Sequence, residues 1–217
     1  MAELALILYV VYLALAFGLR TWLQWRSTGS TGFHGVGGRP GSAEWLAGAG
    51  FVAALVLGAS APLLALLDVV EPIDALNGNG VHVAGVVFAV LGIALTLYAQ
   101  IAMGTSWRIG VEESERTELV TDGPFGLVRN PIFSAMIPTA LGLTLMVPSV
   151  VAVIGFVALL VALELQVRVV EEPYLARVQG EAYTRYASRT GRFVPGIGRL
   201  GGDPTSRLGR RDGAPHG

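Results

Sequence analysis

The chain has 217 residues, of which 53% are hydrophobic and only 14% charged, and its mean hydropathy is +0.59. A soluble domain carries about 25% charged residues; here the charge is missing from several long blocks, the pattern of a polytopic membrane protein. Every basic residue is Arg and there is no Cys, which excludes a disulfide framework, a thiol nucleophile and a Cys-ligated metal.

Residues 3–19 form the first apolar block, with Trp22 and Trp25 just beyond it at the expected membrane interface. It has no basic n-region and no small-residue cleavage pattern, so it reads as a retained span rather than a signal peptide. Residues 27–44 are rich in Gly, Ser and Thr and read as a loop. The glycine run at 35–41 has neither dinucleotide nor Walker spacing and follows no strand, so it too is plain loop. A second span, 45–67, carries small residues from Gly48 to Ala59 that permit close helix packing, and Pro62 is expected to kink its far end. An acidic, Arg-free loop leads to a third span, 81–103, with its own stripe at Ala84, Gly85 and Gly92. His82 at the start of this span reads as an interfacial residue. Residues 1–103 are therefore read as a three-span scaffold.

Residues 104–197 read as the catalytic region. A polar segment, 104–131, precedes two apolar arms, 132–147 and 149–163, broken at Pro148. They predict a tight helical hairpin whose arms, about 15 residues each, are at or below the usual length for crossing a bilayer. The second arm continues as a polar helix through Glu172, and residues 198–217 read as a disordered tail. The expected fold is all-α and polytopic, with about five transmembrane helices. Arg is concentrated in the 20–44 loop and the C-terminal region. That bias places the N-terminus outside and the C-terminus, with the 104–131 segment, in the cytoplasm, here of a bacterial inner membrane.

Three features can carry chemistry. Glu164, Arg168, Glu171 and Glu172 occupy positions i, i+4, i+7 and i+8, so most share one helix face at the end of an apolar span, where ionisable groups point to a site. The alternative is a pair of surface contacts, Glu164 with Arg168 and Arg168 with Glu172. The turn Gly123-Pro124-Phe125 and the sequence Arg129-Asn130-Pro131 fix the backbone and deliver Arg129 to the mouth of a span. A rigid interhelical loop with an interfacial Arg is the plainer reading. Tyr183, Tyr186, Arg192, Phe193 and Pro195 fit an amphipathic surface helix anchored by its aromatic rings.

The order of these motifs resembles the isoprenylcysteine carboxyl methyltransferase family. They run Leu-Val-x-x-Gly-Pro-Phe, Arg-x-Pro-x-Phe, an apolar hairpin, Glu-Glu-Pro-x-Leu, Gly-x-x-Tyr-x-x-Tyr and Arg-Phe-x-Pro. Related branches are the phospholipid methyltransferases, a bacterial thiol methyltransferase group and, more distantly, sterol reductases. The resemblance covers roughly residues 95–197. It implies S-adenosylmethionine bound at the cytoplasmic face by an Arg-His-Pro-x-Tyr-x-Gly segment and a Glu-Glu segment. In this chain the first segment reads Arg129, Asn130, Pro131, Ile132, Phe133, Ser134, Ala135, with Asn130, Phe133 and Ala135 replacing His, Tyr and Gly. Asn keeps a donor and an acceptor but no titratable ring, so a positioning role carries over and a proton-abstracting one does not.

The resemblance thus implies cofactor contacts from Gly123, Pro124, Phe125, Arg129, Asn130, Pro131, Phe133, Glu171, Glu172, Tyr183 and Tyr186. Arg129, Arg168 and Glu171 would do the catalytic work, and Trp107 and Arg108 would lie nearer the acceptor. The chemistry is compatible: Arg suits the cofactor carboxylate, Glu its ammonium and ribose hydroxyls, and aromatic faces its sulfonium. Membrane lipids and a lipophilic or amphiphilic acceptor (carboxylate, thiol or amine) are the expected partners, with no nucleic acid and no metal. Two other readings are an NADPH-dependent reductase of a membrane lipid or steroid, and a non-catalytic lipid-binding membrane protein.

Overall fold

A computed structural model describes residues 1–32, 35–106 and 119–201. The fold is all-α; among the described residues the only strand-like pairing is an isolated parallel bridge between Val128 and Gly191. The main helices are α1 (Ala2–Thr28), α2 (Ala43–Leu66), α3 (Asn79–Met103), α4 (Pro131–Met146), α5 (Val150–Gln179) and α6 (Glu181–Arg189). Four of them, α1, α2, α3 and α5, are long and apolar enough to cross a membrane; α4 is apolar but shorter. The chain is an integral membrane protein with several spanning helices.

Local signals set the helix ends. The Ser42 hydroxyl accepts from the Trp45 N–H at 3.2 Å, and the Ser149 hydroxyl from the Ala152 N–H at 3.3 Å, each filling one of the orphan donors of a first turn. Pro131 stands at the start of α4, where its missing N–H costs nothing. α1 runs on past the apolar block 3–19 and carries Trp22 and Trp25, because hydropathy marks where a helix leaves the apolar layer, not where its hydrogen bonding stops. Two stretches are wound as π-helix, Ala14–Leu19 in α1 and Gln166–Glu171 in α5. The second ends two residues before Pro173, which can donate to no carbonyl, so the wide turn sits where the regular ladder is already interrupted.

The tightest helix pair is α3 on α4, followed by α2 on α5. Small residues make the first possible: a Cβ added at Gly92 would lie 2.5 Å from the Thr139 backbone nitrogen, and one at Gly142 would lie 2.5 Å from the Gly85 carbonyl oxygen. The arms α4 and α5 follow each other through Val147, Pro148 and Ser149, yet each packs chiefly against a different helix. At that end the Ile73 N–H donates to the Pro148 carbonyl at 2.7 Å, tying the α2–α3 loop to the α4–α5 connection. At the other end Arg20 donates to the Gly104 carbonyl, holding the end of α1 against the end of α3. The core draws on α1 to α5: Tyr12, Ala16, Ala54, Ile93, Met136, Leu159 and Leu163.

Candidate active site

The residue before a proline is pushed out of the helical region, and Asn130, with φ −126° and ψ 61°, lies outside it, two residues after an extended Val128. The short non-helical piece Val128–Asn130 therefore presents its backbone to the segment after α6. Arg129 N–H donates to the Gly191 carbonyl at 2.8 Å and Asn130 N–H to the Arg192 carbonyl at 3.1 Å. The Asn130 side-chain amide also donates to the Arg192 carbonyl, at 3.2 Å, and the Ser134 hydroxyl to the Phe193 carbonyl, at 2.8 Å. These bonds fold the C-terminal segment over the start of α4.

The Arg129 guanidinium fills the space beneath. Nη1 donates to the carbonyls of Ala187 at 3.1 Å and Thr190 at 2.5 Å, two of the orphan acceptors at the end of α6. Nη2 donates to the Gly198 carbonyl at 3.0 Å and to Glu172 Oε1 at 2.5 Å. Arg192 grips the same carboxylate from its other side, Nε to Oε1 at 2.8 Å and Nη2 to Oε2 at 2.9 Å. That carboxylate, hydrogen-bonded to Arg192, raises the Arg192 pKa. Arg129 Nε is buried and has no partner among the described residues. Tyr183 is buried beside this cluster; burial first, and then the Glu172 charge, push its phenol up to about 12. Burial also raises Tyr186, whose hydroxyl donates to the Phe125 carbonyl at 2.6 Å.

A cavity of about 320 Å³ opens beside the cluster, within the size range of small-molecule sites. Its charged end is lined by Arg129, Asn130, Glu171, Glu172, Tyr183 and Tyr186, with Phe125, Pro131 and Phe133 beside them. From there it runs between the membrane helices, along Phe17, Phe51, Leu55, Met136 and Leu163, to Tyr12, Thr96 and Gln100.

Nine of the residues expected at the cofactor site thus share one cavity wall. Gly123 and Pro124 do not line it; Pro124 is buried behind Phe125 in the turn Pro124–Leu127. Arg168 does not line it either: it is exposed and paired with Glu164, Nε to Oε2 at 2.5 Å. The expected common face of Glu164, Arg168, Glu171 and Glu172 is split by the π-wound turns, which break the four-residue spacing and carry Glu172 to Arg129 and Arg192. Tyr183 and Tyr186 are on a helix, as expected, but face Arg129 and Phe125 because α6 supplies the acceptors that the guanidinium needs. Trp107 and Arg108 lie outside the described residues; Ser106 and Leu119, on either side of that segment, both line the cavity.

Sequence reasoning treated the first three helices as scaffold and missed their share of the wall. Tyr12 and Phe17 come from α1, Phe51 and Leu55 from α2, and Thr96 and Gln100 from α3. The available signal was polarity inside a span, which by default marks function.

Among known families, the one described as phospholipid methyltransferase (PEMT) matches residues 81–182. That range takes in α3, α4, Arg129, Asn130, Glu171 and Glu172, and stops short of Tyr183 and Arg192. No curated protein and no solved structure matches the chain. Over part of its length, residues 81–182, the chain therefore carries a methyltransferase domain like that of the phospholipid methyltransferases.

Proposed function

We propose that the chain is a five-span membrane methyltransferase that moves a methyl group from S-adenosylmethionine to a lipophilic or amphiphilic acceptor. The observation that carries this reading is one cavity with two ends. The charged end is built largely by the methyltransferase-like domain, and from there the cavity runs along apolar side chains among the membrane helices. The α4 and α5 arms serve as the last two crossings. The Arg distribution favours an N-terminus outside and a cytoplasmic charged end, in a bacterial inner membrane.

The donor set fits the cofactor. Arg129 Nε is the N–H of that guanidinium left without a partner among the described residues, and suits a carboxylate. Glu171, on the cavity wall, suits the ammonium or the ribose hydroxyls. Phe125, Phe133, Tyr183 and Tyr186 offer aromatic faces to a sulfonium. Both Glu172 oxygens are engaged by arginines, so in this reading Glu172 holds Arg129 in place rather than touching the cofactor. Asn130 fixes the backbone through Arg192, Gly123 and Pro124 support Phe125, and Trp107 and Arg108 belong to the acceptor side. Arg168, paired with Glu164 away from the cavity, has no part in the reacting groups here.

When bound, the cofactor would supply an electrophilic methyl on a sulfonium, open to a lone pair of the acceptor. The chain's own work is to align the two partners in line and keep water out, which suffices for such a displacement. The test is to incubate membranes containing the protein with a lipid extract and methyl-labelled S-adenosylmethionine. Label entering the organic phase with wild type, and not with Glu171→Ala, supports the reading. NADPH consumption without label transfer contradicts it.

A further inference from the structure

The inner end of the cavity is polar, although it lies inside the helix bundle. Tyr12 on α1 and Thr96 and Gln100 on α3 all line it, and they are only 4%, 1% and 3% exposed. The Thr96 hydroxyl donates within its own helix, to the Gly92 carbonyl at 2.9 Å. Gln100 Nε2 donates across to the Ala16 carbonyl at 2.8 Å, in the π-wound part of α1, which fixes the amide with its oxygen turned the other way. That oxygen, Gln100 Oε1, and the Tyr12 hydroxyl, which stands by the Thr96 side chain, have no partner in hydrogen-bond geometry among the described residues. Tyr12 and Ala16 are one turn apart on α1, as are Thr96 and Gln100 on α3. The Gln100–Ala16 bond therefore ties α3 to α1 within one turn of Tyr12 and of Thr96.

We propose that Tyr12 and Gln100 are the specificity-determining pair for the acceptor, and that they select a neutral group able both to accept and to donate a hydrogen bond. The Tyr12 O–H needs an acceptor and Gln100 Oε1 needs a donor. A hydroxyl, a primary amide or an un-ionised carboxyl supplies both; a carboxylate lacks the donor and an ammonium lacks the acceptor. None of the arginine and glutamates that line the cavity stands on α1 or α3, so a charge there would be buried without a counter-ion from the cavity wall. The apolar body of such a molecule would lie along Phe17, Phe51, Leu55 and Met136. This inference rests on reading the cavity as the acceptor site and is independent of which methyl donor fills the charged end.

The test uses the full-length protein in lipid nanodiscs. Its three probes share one chain length: hexadecanol, its methyl ether, which accepts but cannot donate, and hexadecylammonium, which donates but cannot accept. Apparent affinity is read from the dose dependence of the thermal midpoint. Hexadecanol should bind about tenfold tighter than either of the others, and Tyr12→Phe, which removes only the hydroxyl, should weaken hexadecanol by about tenfold. Equal binding of alcohol and ether by wild type, as when ordered water already satisfies the pair, overturns the proposal. So does unchanged alcohol affinity in folded Tyr12→Phe. S-adenosylhomocysteine binding measured on the same samples separates the two readings. Its absence beside an intact alcohol preference contradicts the methyltransferase reading alone, and its presence without that preference sinks only the subsite.

Discussion

Arg129 and Glu172, 43 residues apart in the chain, meet at 2.5 Å in a buried ion pair that joins the start of α4 to the polar end of α5. Arg192 completes it, so one carboxylate balances two guanidinium groups, and Arg129 also closes the end of α6. Glu172→Gln leaves Arg129 buried without its counter-ion, and breaking such a pair costs about 3–5 kcal/mol. The measurement is thermal unfolding in detergent, where the midpoint should fall by several degrees. Arg129→Lys should lower it as well, because one ammonium cannot reach the four acceptors that the planar fork holds. An unchanged midpoint for Glu172→Gln would remove the clasp from this account.

The α3–α4 contact depends on missing side chains. Gly142→Val puts atoms into the Gly85 and Ala89 backbones, where nothing flexible can yield, and overpacking of this kind costs about 1–3 kcal/mol or more. Gly50→Ala is the control: its Cβ would meet only the Ala162 Cβ, at an ordinary 3.6 Å, and stability should stay close to wild type. Equal loss in both variants would show that close approach is not what holds this pair.

Alkaline pH should loosen the C-terminal clasp. Tyr183 is held up to about 12 by burial and by Glu172, against an ordinary value of about 10 in the unfolded chain. A raised folded value means that its contribution is fully present below the unfolded pKa and is lost as pH rises towards the folded one. Stability should therefore fall between about pH 10 and 12, and Tyr183→Phe should flatten that part of the curve. Phenolate absorbance followed during the same titration assigns the change; a Phe variant with the wild-type slope would exclude Tyr183 as its source.

The two adjacent glutamates should separate by function. Glu171→Gln should weaken S-adenosylhomocysteine by about tenfold or more, the cost of losing a charge-assisted hydrogen bond, while costing less stability than Glu172→Gln. Calorimetry and unfolding on the same two variants decide it. The reverse pattern would exchange their assigned roles.

The helices were largely legible, since uninterrupted apolar length is a one-dimensional signal. The span expected at 45–67 is Ala43–Leu66, and the one at 81–103 is Asn79–Met103. The charged end of the cavity was legible because its residues sit in short, turn-fixed segments such as Gly123–Pro131. Two things were not. Helical spacing gave Arg168 and Glu172 one face, but the π-wound turns before Pro173 change the phase, and a sequence periodicity assumes a constant one. The polar floor of the cavity was hidden because Tyr12 and Gln100 are 88 residues apart by their numbers. Only the packing of α1 against α3 brings them together.

The central claim is that the charged end of the cavity binds an S-adenosyl cofactor. It is tested most directly by calorimetric titration of the purified protein with S-adenosylhomocysteine, with NADPH titrated in parallel. The account predicts micromolar binding of the first, weakened by Glu171→Gln, and none of the second. No heat with S-adenosylhomocysteine, in protein shown to be folded, would contradict it.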